Sequence, residues 1–298
     1  MRSSNPVFSR RGFSRDAGHA GVNAQPQAGG PAVGTNPYAT GNPSAEAATN
    51  PYATNPYAPQ DTLGAPQQAR GDVMTIDDVV SRTALTLGTV VLTAVLAWTL
   101  LPVDAANLGK SYGIAIGAAL VAFVLSMVQS FKRRPSPAVI IAYAAFEGVF
   151  LGVISAAVSA HIGGSAVVQA VLGTMAVFAG VLIAYKAGWI RVNRRFYGFV
   201  MAATMGFVLL MMANLLFSVF GGGDGLGFRS GGLGILFGVV GVILGACFLA
   251  LDFKQVEDGV TYGAPREESW LAAFGLTMTL VWIYLEMLRL VSILQGND

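Results

Sequence analysis

Two regions with opposite patterns of hydrophobic and polar residues divide the chain. Residues 1–72 contain no long apolar run and are rich in Asn, Pro, Ala, Gly, Ser and Gln. From Val79 to Leu294, long apolar runs dominate and charged residues are few. A soluble domain covers its surface with polar side chains, and this second region has too few of them. We therefore predict that residues 73–298 form one domain that is solvated by lipid.

Seven apolar stretches of that domain are long enough to cross a bilayer, since a helix needs ~20 mostly apolar residues to cross ~30 Å of hydrocarbon. Their continuous apolar character favours helices, because the strands of membrane barrels alternate and are much shorter. The pattern predicts an all-α polytopic membrane protein, a seven-transmembrane-helix bundle with a disordered N-terminal tail. The predicted spans are 80–101, 112–130, 138–160, 165–187, 197–220, 231–253 and 270–294. In the sixth span, Gly241 and Gly245 have the spacing that lets two helices approach closely.

The tail, residues 1–72, repeats a short motif that contains proline and tyrosine. Asn-Pro-Tyr-Ala-Thr occurs at 36–40 and 50–54, and its first four residues recur at 55–58. Proline removes a backbone donor, and the residues between the motifs cannot bury enough surface to offset the entropy of ordering. We predict a disordered, solvated tail. The alternative is that the repeated tyrosine motif binds a protein partner.

The positions of lysine and arginine predict how the helices are oriented. With a cytoplasmic N-terminus, the cytoplasmic loops hold nine of these residues and the opposite loops hold two, which is the bias expected of membrane proteins. The nine are Lys132, Arg133, Arg134, Lys186, Arg191, Arg194, Arg195, Lys254 and Arg266, and the two are Lys110 and Arg229. We therefore place the N-terminus in the cytoplasm and, with seven spans, the C-terminus outside.

Several classes of function lack support in the sequence. The net charge is +2, and no basic stripe interleaved with aromatic residues indicates nucleic-acid binding. The single cysteine, Cys247, lies in an apolar run and is interpreted as a packed core residue. We find no zinc-protease helix, phosphate-binding loop or nucleophile elbow, so we expect neither an enzyme nor a cofactor.

Apart from Arg82 and Lys186 at the cytoplasmic ends of their spans, four charged residues lie within the predicted spans, where an ionised side chain costs ~2.5–3.5 kcal/mol and usually serves a function. Glu147 lies near the middle of the third span, Asp252 at the end of the sixth, and Glu286 and Arg289 in the seventh. A low dielectric favours the protonated form of a carboxyl, whereas a nearby arginine favours its ionised form. Such acids can therefore exchange protons near neutral pH. Two structural alternatives remain. Glu286 and Arg289, three residues apart, can form an ion pair that only neutralises itself, and Glu147 can be a protonated carboxyl bonded to the backbone.

Three segments that carry these acids resemble a known family. Tyr143–Gly152, with Glu147, resembles the third helix of the Bax inhibitor (TMBIM, YccA-like) membrane proteins. Ala250–Val256, with Asp252, resembles the acidic signature of that family's sixth helix, and Ile283–Leu290 resembles its closing Tyr-Leu-Asp/Glu motif. The resemblance covers about residues 75–294 and is greatest to an actinobacterial branch.

The resemblance implies a multi-pass protein of the bacterial plasma membrane that passes Ca²⁺ down its gradient in a pH-dependent way. It implies that Asp252 and Glu286 are the pH sensor and gate, hydrogen-bonded while they share a proton, and that they are candidate Ca²⁺ ligands. It also implies an arginine latch at the end of the second helix. Arg133 is chosen for that role over Lys132 and Arg134.

The two acids can meet only if the last helix is irregular. At 1.5 Å per residue, Asp252 lies ~30 Å from the outer end of its helix, whereas Glu286 lies ~24 Å beyond Trp270, toward the other face. We therefore expect Gly263–Pro265 and the residues after it to form an interfacial or re-entrant segment, so that the last span starts later.

The sequence thus favours a pH-sensitive calcium leak channel gated by a proton-sharing acidic pair. Its expected partners are the lipid bilayer, Ca²⁺ and protons. The chief alternative is a regulatory membrane protein that binds a partner such as a membrane protease through its tail. A proton-coupled transporter is a third interpretation.

Overall fold

A computed structural model describes residues 73–104, 107–221, 226–228 and 230–296. Seven helices follow one another in these residues, and each is long and apolar enough to cross a bilayer. They are α1 (Ile76–Leu100), α2 (Leu108–Phe131), α3 (Pro137–Ile162), α4 (Gly164–Lys186), α5 (Arg194–Gly221), α6 (Gly231–Thr261) and α7 (Glu268–Gln295). The all-α fold and the seven spans are confirmed. The tail, residues 1–72, lies outside the described residues.

Polar residues extend two helices beyond the apolar runs that predicted them. α1 begins at Ile76 because the hydroxyl of Thr75 accepts a hydrogen bond of 3.2 Å from the amide of Asp78 and caps the helix. α6 continues to Thr261 rather than ending at 253. Lys254 stabilises this polar end through salt bridges of 3.2 Å to Glu257 and 3.0 Å to Asp258, one turn further along.

The connection from α6 to α7 is a compact turn, and the expectation of a re-entrant segment was wrong. Gly263 adopts a φ of +67°, which glycine tolerates without strain. The amide of Ala264 donates a 2.8 Å hydrogen bond to the carbonyl of Gly259 and closes the end of α6. α7 then begins at Glu268, so the last span starts before Trp270 instead of later.

The seventh helix forms the centre of the bundle, whereas α5 lies at its edge. α7 packs against α1, α3, α4 and α6. It contacts α1 through a buried 2.7 Å hydrogen bond between the hydroxyls of Thr86 and Thr277. α5 packs mainly against α6 and leaves a wide apolar face exposed. The acids of α7 are therefore surrounded by protein.

Glycines of α6 bring that helix close to α7, as the sequence predicted. A methyl group on any of three glycines would meet an α7 side chain at 2.5–2.8 Å, which is closer than real contacts allow. The facing pairs are Gly238 and Leu290, Gly241 and Glu286, and Gly245 and Ile283. The pairing runs antiparallel and sets the level at which each side chain of α7 lies.

A set of contacts joins the start of α1 to the α6–α7 turn, and we call it the N-terminal clasp. The amide of Met74 donates a 2.8 Å hydrogen bond to the carbonyl of Ala264. The guanidinium of Arg266 forms a 2.8 Å salt bridge with Asp78. Arg82 donates a 2.7 Å hydrogen bond to the carbonyl of Arg266. These contacts define one end of the bundle, which we call the N-terminal face.

Candidate functional site

Glu286 and Arg289 form an ion pair inside the bundle. The distance between Arg289 Nη2 and Glu286 Oε2 is 2.6 Å, and only 11% and 15% of the two side chains is exposed. The residues lie one turn apart on α7, as their spacing predicted. Gly241 of α6 lies against the Glu286 carboxyl, so its missing side chain makes room for the acid. The pairing of Arg289 with Glu286 is therefore present in the structure.

Asp252 lies in a different part of the α6–α7 interface. The hydroxyl of Thr279 donates a 2.6 Å hydrogen bond to Asp252 Oδ2. Gly275, one turn earlier on α7, lies beside Oδ1, which would be 3.3 Å from a methyl group built on that glycine. Asp252 is half-buried and is held by a neutral donor rather than by a cation.

The structure does not bring Asp252 and Glu286 together. Thr279 and Glu286 are seven residues apart on a continuous helix, which is ~10 Å along its axis. Asp252 lies at the level of Thr279, and Glu286 lies at the level of Gly241. The expected contact depended on a re-entrant segment, and two straight antiparallel helices keep the acids apart. In this conformation each acid has its own partner, and they do not share a proton.

The structure instead brings Glu286 and Glu147 to one cavity of about 460 Å³. Side chains from four helices line this space, which we call the acidic cavity. They are Ala119, Phe123 and Ser126 of α2; Tyr143, Glu147 and Phe150 of α3; Phe207, Val208 and Met211 of α5; and Met278, Val281, Trp282, Leu285 and Glu286 of α7. Sequence reasoning identified both acids but did not place them together.

Close packing of α3 against α1 directs Glu147 toward the acidic cavity. A methyl group at Gly148 would overlap the hydroxyl of Thr93 and the carbonyl of Val90, so this side of α3 lies directly on α1. Successive residues of a helix point ~100° apart, and Glu147 therefore turns away from α1. Tyr143, one turn earlier, packs edge-to-face on Phe274 of α7, with ring centroids 5.1 Å apart. These contacts fix the rotation of α3.

Trp282 closes the cavity toward α6. Its indole Nε1 donates a 3.3 Å hydrogen bond to the carbonyl of Gly241. Its ring lies 6.1 Å from that of Phe207 and 6.4 Å from that of Phe248. The aromatic rings link α5, α6 and α7 beside Glu286, so the acidic cavity is bounded by ordered apolar side chains.

The predicted latch residue lies at the N-terminal face. Arg133 and its neighbours Lys132 and Arg134 are exposed just after the end of α2. None of the three contributes to a salt bridge within the described part of the chain. The latch therefore stays a prediction. Among the described residues, no group of three or more His, Cys, Asp or Glu side chains is placed to hold a metal ion.

Comparison with protein families gives one result for the chain. The sequence model of the family described as "Bax inhibitor 1 like" matches residues 5–296, which is nearly the whole chain. A comparison with curated proteins found no match.

Proposed function

We propose that this chain, which belongs to the Bax inhibitor 1-like family of membrane proteins, lets cations, and Ca²⁺ above all, leak down their gradient through the acidic cavity in a pH-dependent way. The chain is a multi-pass membrane protein, and its described residues contain seven helices long and apolar enough to cross a bilayer. The proposal includes a bacterial plasma membrane and a cytoplasmic N-terminus, in line with the cations at the N-terminal face.

The observation that carries this proposal is the cavity shared by Glu147 and Glu286. Hard cations such as Ca²⁺ prefer oxygen ligands, and carboxylates provide them. Acids within membrane helices are costly and usually mark ion or proton pathways. Two acids from α3 and α7 on one cavity therefore support a cation pathway better than either acid does alone.

The Glu286–Arg289 pair gives the proposal its pH dependence. While Glu286 is ionised, it neutralises Arg289 at 2.6 Å, and the charge of Glu147 attracts cations. When Glu286 takes up a proton, it no longer neutralises Arg289, and the added positive charge beside the cavity repels Ca²⁺. Acidic pH thus closes the pathway and neutral pH opens it.

Asp252 is the second proton-binding acid of the proposal, at a separate level. The hydroxyl of Thr279 donates a 2.6 Å hydrogen bond to the carboxyl of Asp252. Protonation of Asp252 changes that bond and the contact with Gly275 where α6 and α7 pack. The two acids then take up protons at separate sites rather than sharing one proton.

Ca²⁺ flux through a Glu147→Gln variant tests the pathway. The full chain is reconstituted in liposomes that enclose a Ca²⁺ indicator, and the initial rate of Ca²⁺ entry is measured at neutral pH. We expect Glu147→Gln to lower the rate at least about tenfold, because it removes the free carboxylate of the cavity. Glu267→Gln makes the same change at an exposed position of the α6–α7 turn and should leave the rate unchanged. Equal rates for wild type and Glu147→Gln would contradict the proposal.

A further inference from the structure

A ten-residue segment from the last residue of α4 to the second residue of α5, Lys186–Arg195, carries four cations and no acid. We call it the basic loop, and its cations are Lys186, Arg191, Arg194 and Arg195. All four are exposed, and none contributes to a salt bridge among the described residues. The loop follows a membrane helix directly, so its cations lie near the depth of lipid headgroups.

The basic loop has a fixed conformation that presents Trp189 and Arg191 outward. Gly188 has a φ of +73°, and the amide of Trp189 donates a 3.0 Å hydrogen bond to the carbonyl of Ala184. Ile190 and Val192 pack against the hydrophobic core of the bundle. Arg191, which lies between them in the sequence, is exposed. Trp189 is 80% exposed.

A cavity of about 600 Å³ adjoins the loop at the N-terminal face, and Met74, Arg194 and Leu251 contribute to its wall. The cavity also contains Lys254 and Asp258, which form a 3.0 Å salt bridge, and Lys254 also pairs with Glu257 at 3.2 Å. Its remaining acid, Glu268, lies in the first turn of α7, where the helix dipole offsets part of its charge. The space thus combines an apolar wall with the guanidinium of Arg194.

The exposed side of α5 continues from the loop as an apolar surface. Tyr197, Met201 and Met205 lie on one face of α5 at successive turns and are 54%, 43% and 64% exposed. A molecule bound at the basic loop would therefore have cations at one end and an apolar helix face below it. This is the arrangement of a phospholipid, with its headgroup at the surface and its chains in the bilayer.

We propose that the basic loop binds the headgroup of an anionic phospholipid in the leaflet at the N-terminal face. Arginine recognises phosphate oxygens through paired hydrogen bonds, and Arg191, Arg194 and Arg195 supply three guanidinium groups. Trp189 lies at the headgroup level, where its amphipathic ring is favoured. The acyl chains lie along Tyr197, Met201 and Met205. This site is separate from the acidic cavity and does not depend on the leak.

Binding of a short-chain phosphatidylglycerol to the full chain in detergent micelles tests the proposal. Phosphatidylcholine with the same chains and inorganic phosphate are titrated in parallel, and bound lipid is counted by native mass spectrometry. Wild type should bind phosphatidylglycerol more tightly than phosphatidylcholine and phosphate. Each cation near an anionic lipid raises the affinity about fivefold. The triple variant Arg191→Gln, Arg194→Gln, Arg195→Gln should therefore lose at least about tenfold in affinity for phosphatidylglycerol.

A second triple variant controls for total charge. Lys132→Gln, Arg133→Gln, Arg134→Gln removes the same number of cations from the same face but leaves the basic loop intact, and it should change the affinity less than about twofold. Equal losses in the two triple variants, equal binding of the two lipids, or phosphate that binds as tightly as phosphatidylglycerol would each overturn the proposal. Should the loop variant fail to fold, Trp189→Ala and Arg195→Gln singly still must weaken phosphatidylglycerol binding.

Discussion

Two arginine–carboxylate pairs of similar length lie in opposite surroundings in this bundle. In the N-terminal clasp, Arg266 and Asp78 are 2.8 Å apart, and 56% of the arginine side chain is exposed. Inside the bundle, Arg289 and Glu286 are 2.6 Å apart and almost enclosed. An exposed pair contributes ~0–1 kcal/mol, whereas an enclosed pair carries a desolvation cost that its attraction only partly repays. The interior pair is therefore weak evidence for stability and stronger evidence for function.

Breaking the interior pair should have the largest effect on stability. Arg289→Met removes the cation that lies 2.6 Å from the Glu286 carboxylate, and the loss of an enclosed partner costs ~3–5 kcal/mol. The double variant Glu286→Met, Arg289→Met should lie within ~1 kcal/mol of wild type, because apolar side chains of similar size can replace such pairs. The free energy of unfolding is measured by denaturant titration in mixed micelles.

The pH dependence of that measurement separates charge from packing. In Arg289→Met, acidic pH should restore part of the lost stability, since a protonated Glu286 no longer needs a cation. The double variant lacks the acid and should show no such recovery. A single variant that is as stable as the double variant would mean that the interior charges do not interact as described.

Crowding the Glu286 carboxyl without removing a charge should have an intermediate effect. In Gly241→Ala the new methyl group would lie 2.8 Å from Glu286 Cδ, so the acid must move. We expect the free energy of unfolding to fall by ~1–3 kcal/mol, the usual cost of overpacking. Gly180→Ala in α4 is the matched control, because nothing lies within 4 Å of its methyl group. Thermal unfolding is measured for both variants. A lower melting temperature for Gly180→Ala than for Gly241→Ala would contradict the close contact between Gly241 and Glu286.

Breaking the clasp pair should have the smallest effect. Arg266→Gln removes the salt bridge to Asp78, which keeps its 2.8 Å hydrogen bond from Thr75. We expect a loss below ~1 kcal/mol that shrinks further at high salt, because exposed charges are screened. The free energy of unfolding of Arg266→Gln is compared with that of wild type at low and at high ionic strength. A salt-independent loss as large as that of Arg289→Met would remove the distinction between the two pairs.

The apolar pattern was enough to predict the fold but not the helix ends. Hydropathy locates lipid-exposed helices because lipid selects apolar side chains over about twenty residues. It does not detect the final turns of α6, which Lys254, Glu257 and Asp258 stabilise through polar contacts. It also does not distinguish a tight turn at Gly263 from a re-entrant segment, because glycine and proline permit both.

The sequence identified the individual residues of the candidate site but did not predict how the fold arranges them. The cost of interior charge identified Glu147, Asp252, Glu286 and Arg289, and spacing alone predicted the pair on α7. The shared cavity depends on the rotation of α3, which Gly148 sets through its contact with α1. Such contacts between distant segments are not encoded in local periodicity, and it was the family resemblance that suggested Asp252 as the partner of Glu286.

The pH dependence of Ca²⁺ flux is the decisive measurement for a cation pathway controlled by the Glu286–Arg289 pair. Wild-type protein in liposomes is assayed from acidic to neutral pH with a fixed Ca²⁺ gradient. We expect a flux that rises toward neutral pH, because ionised Glu286 then neutralises Arg289 beside the acidic cavity. A flux that is absent throughout, or that rises toward acidic pH, would contradict it.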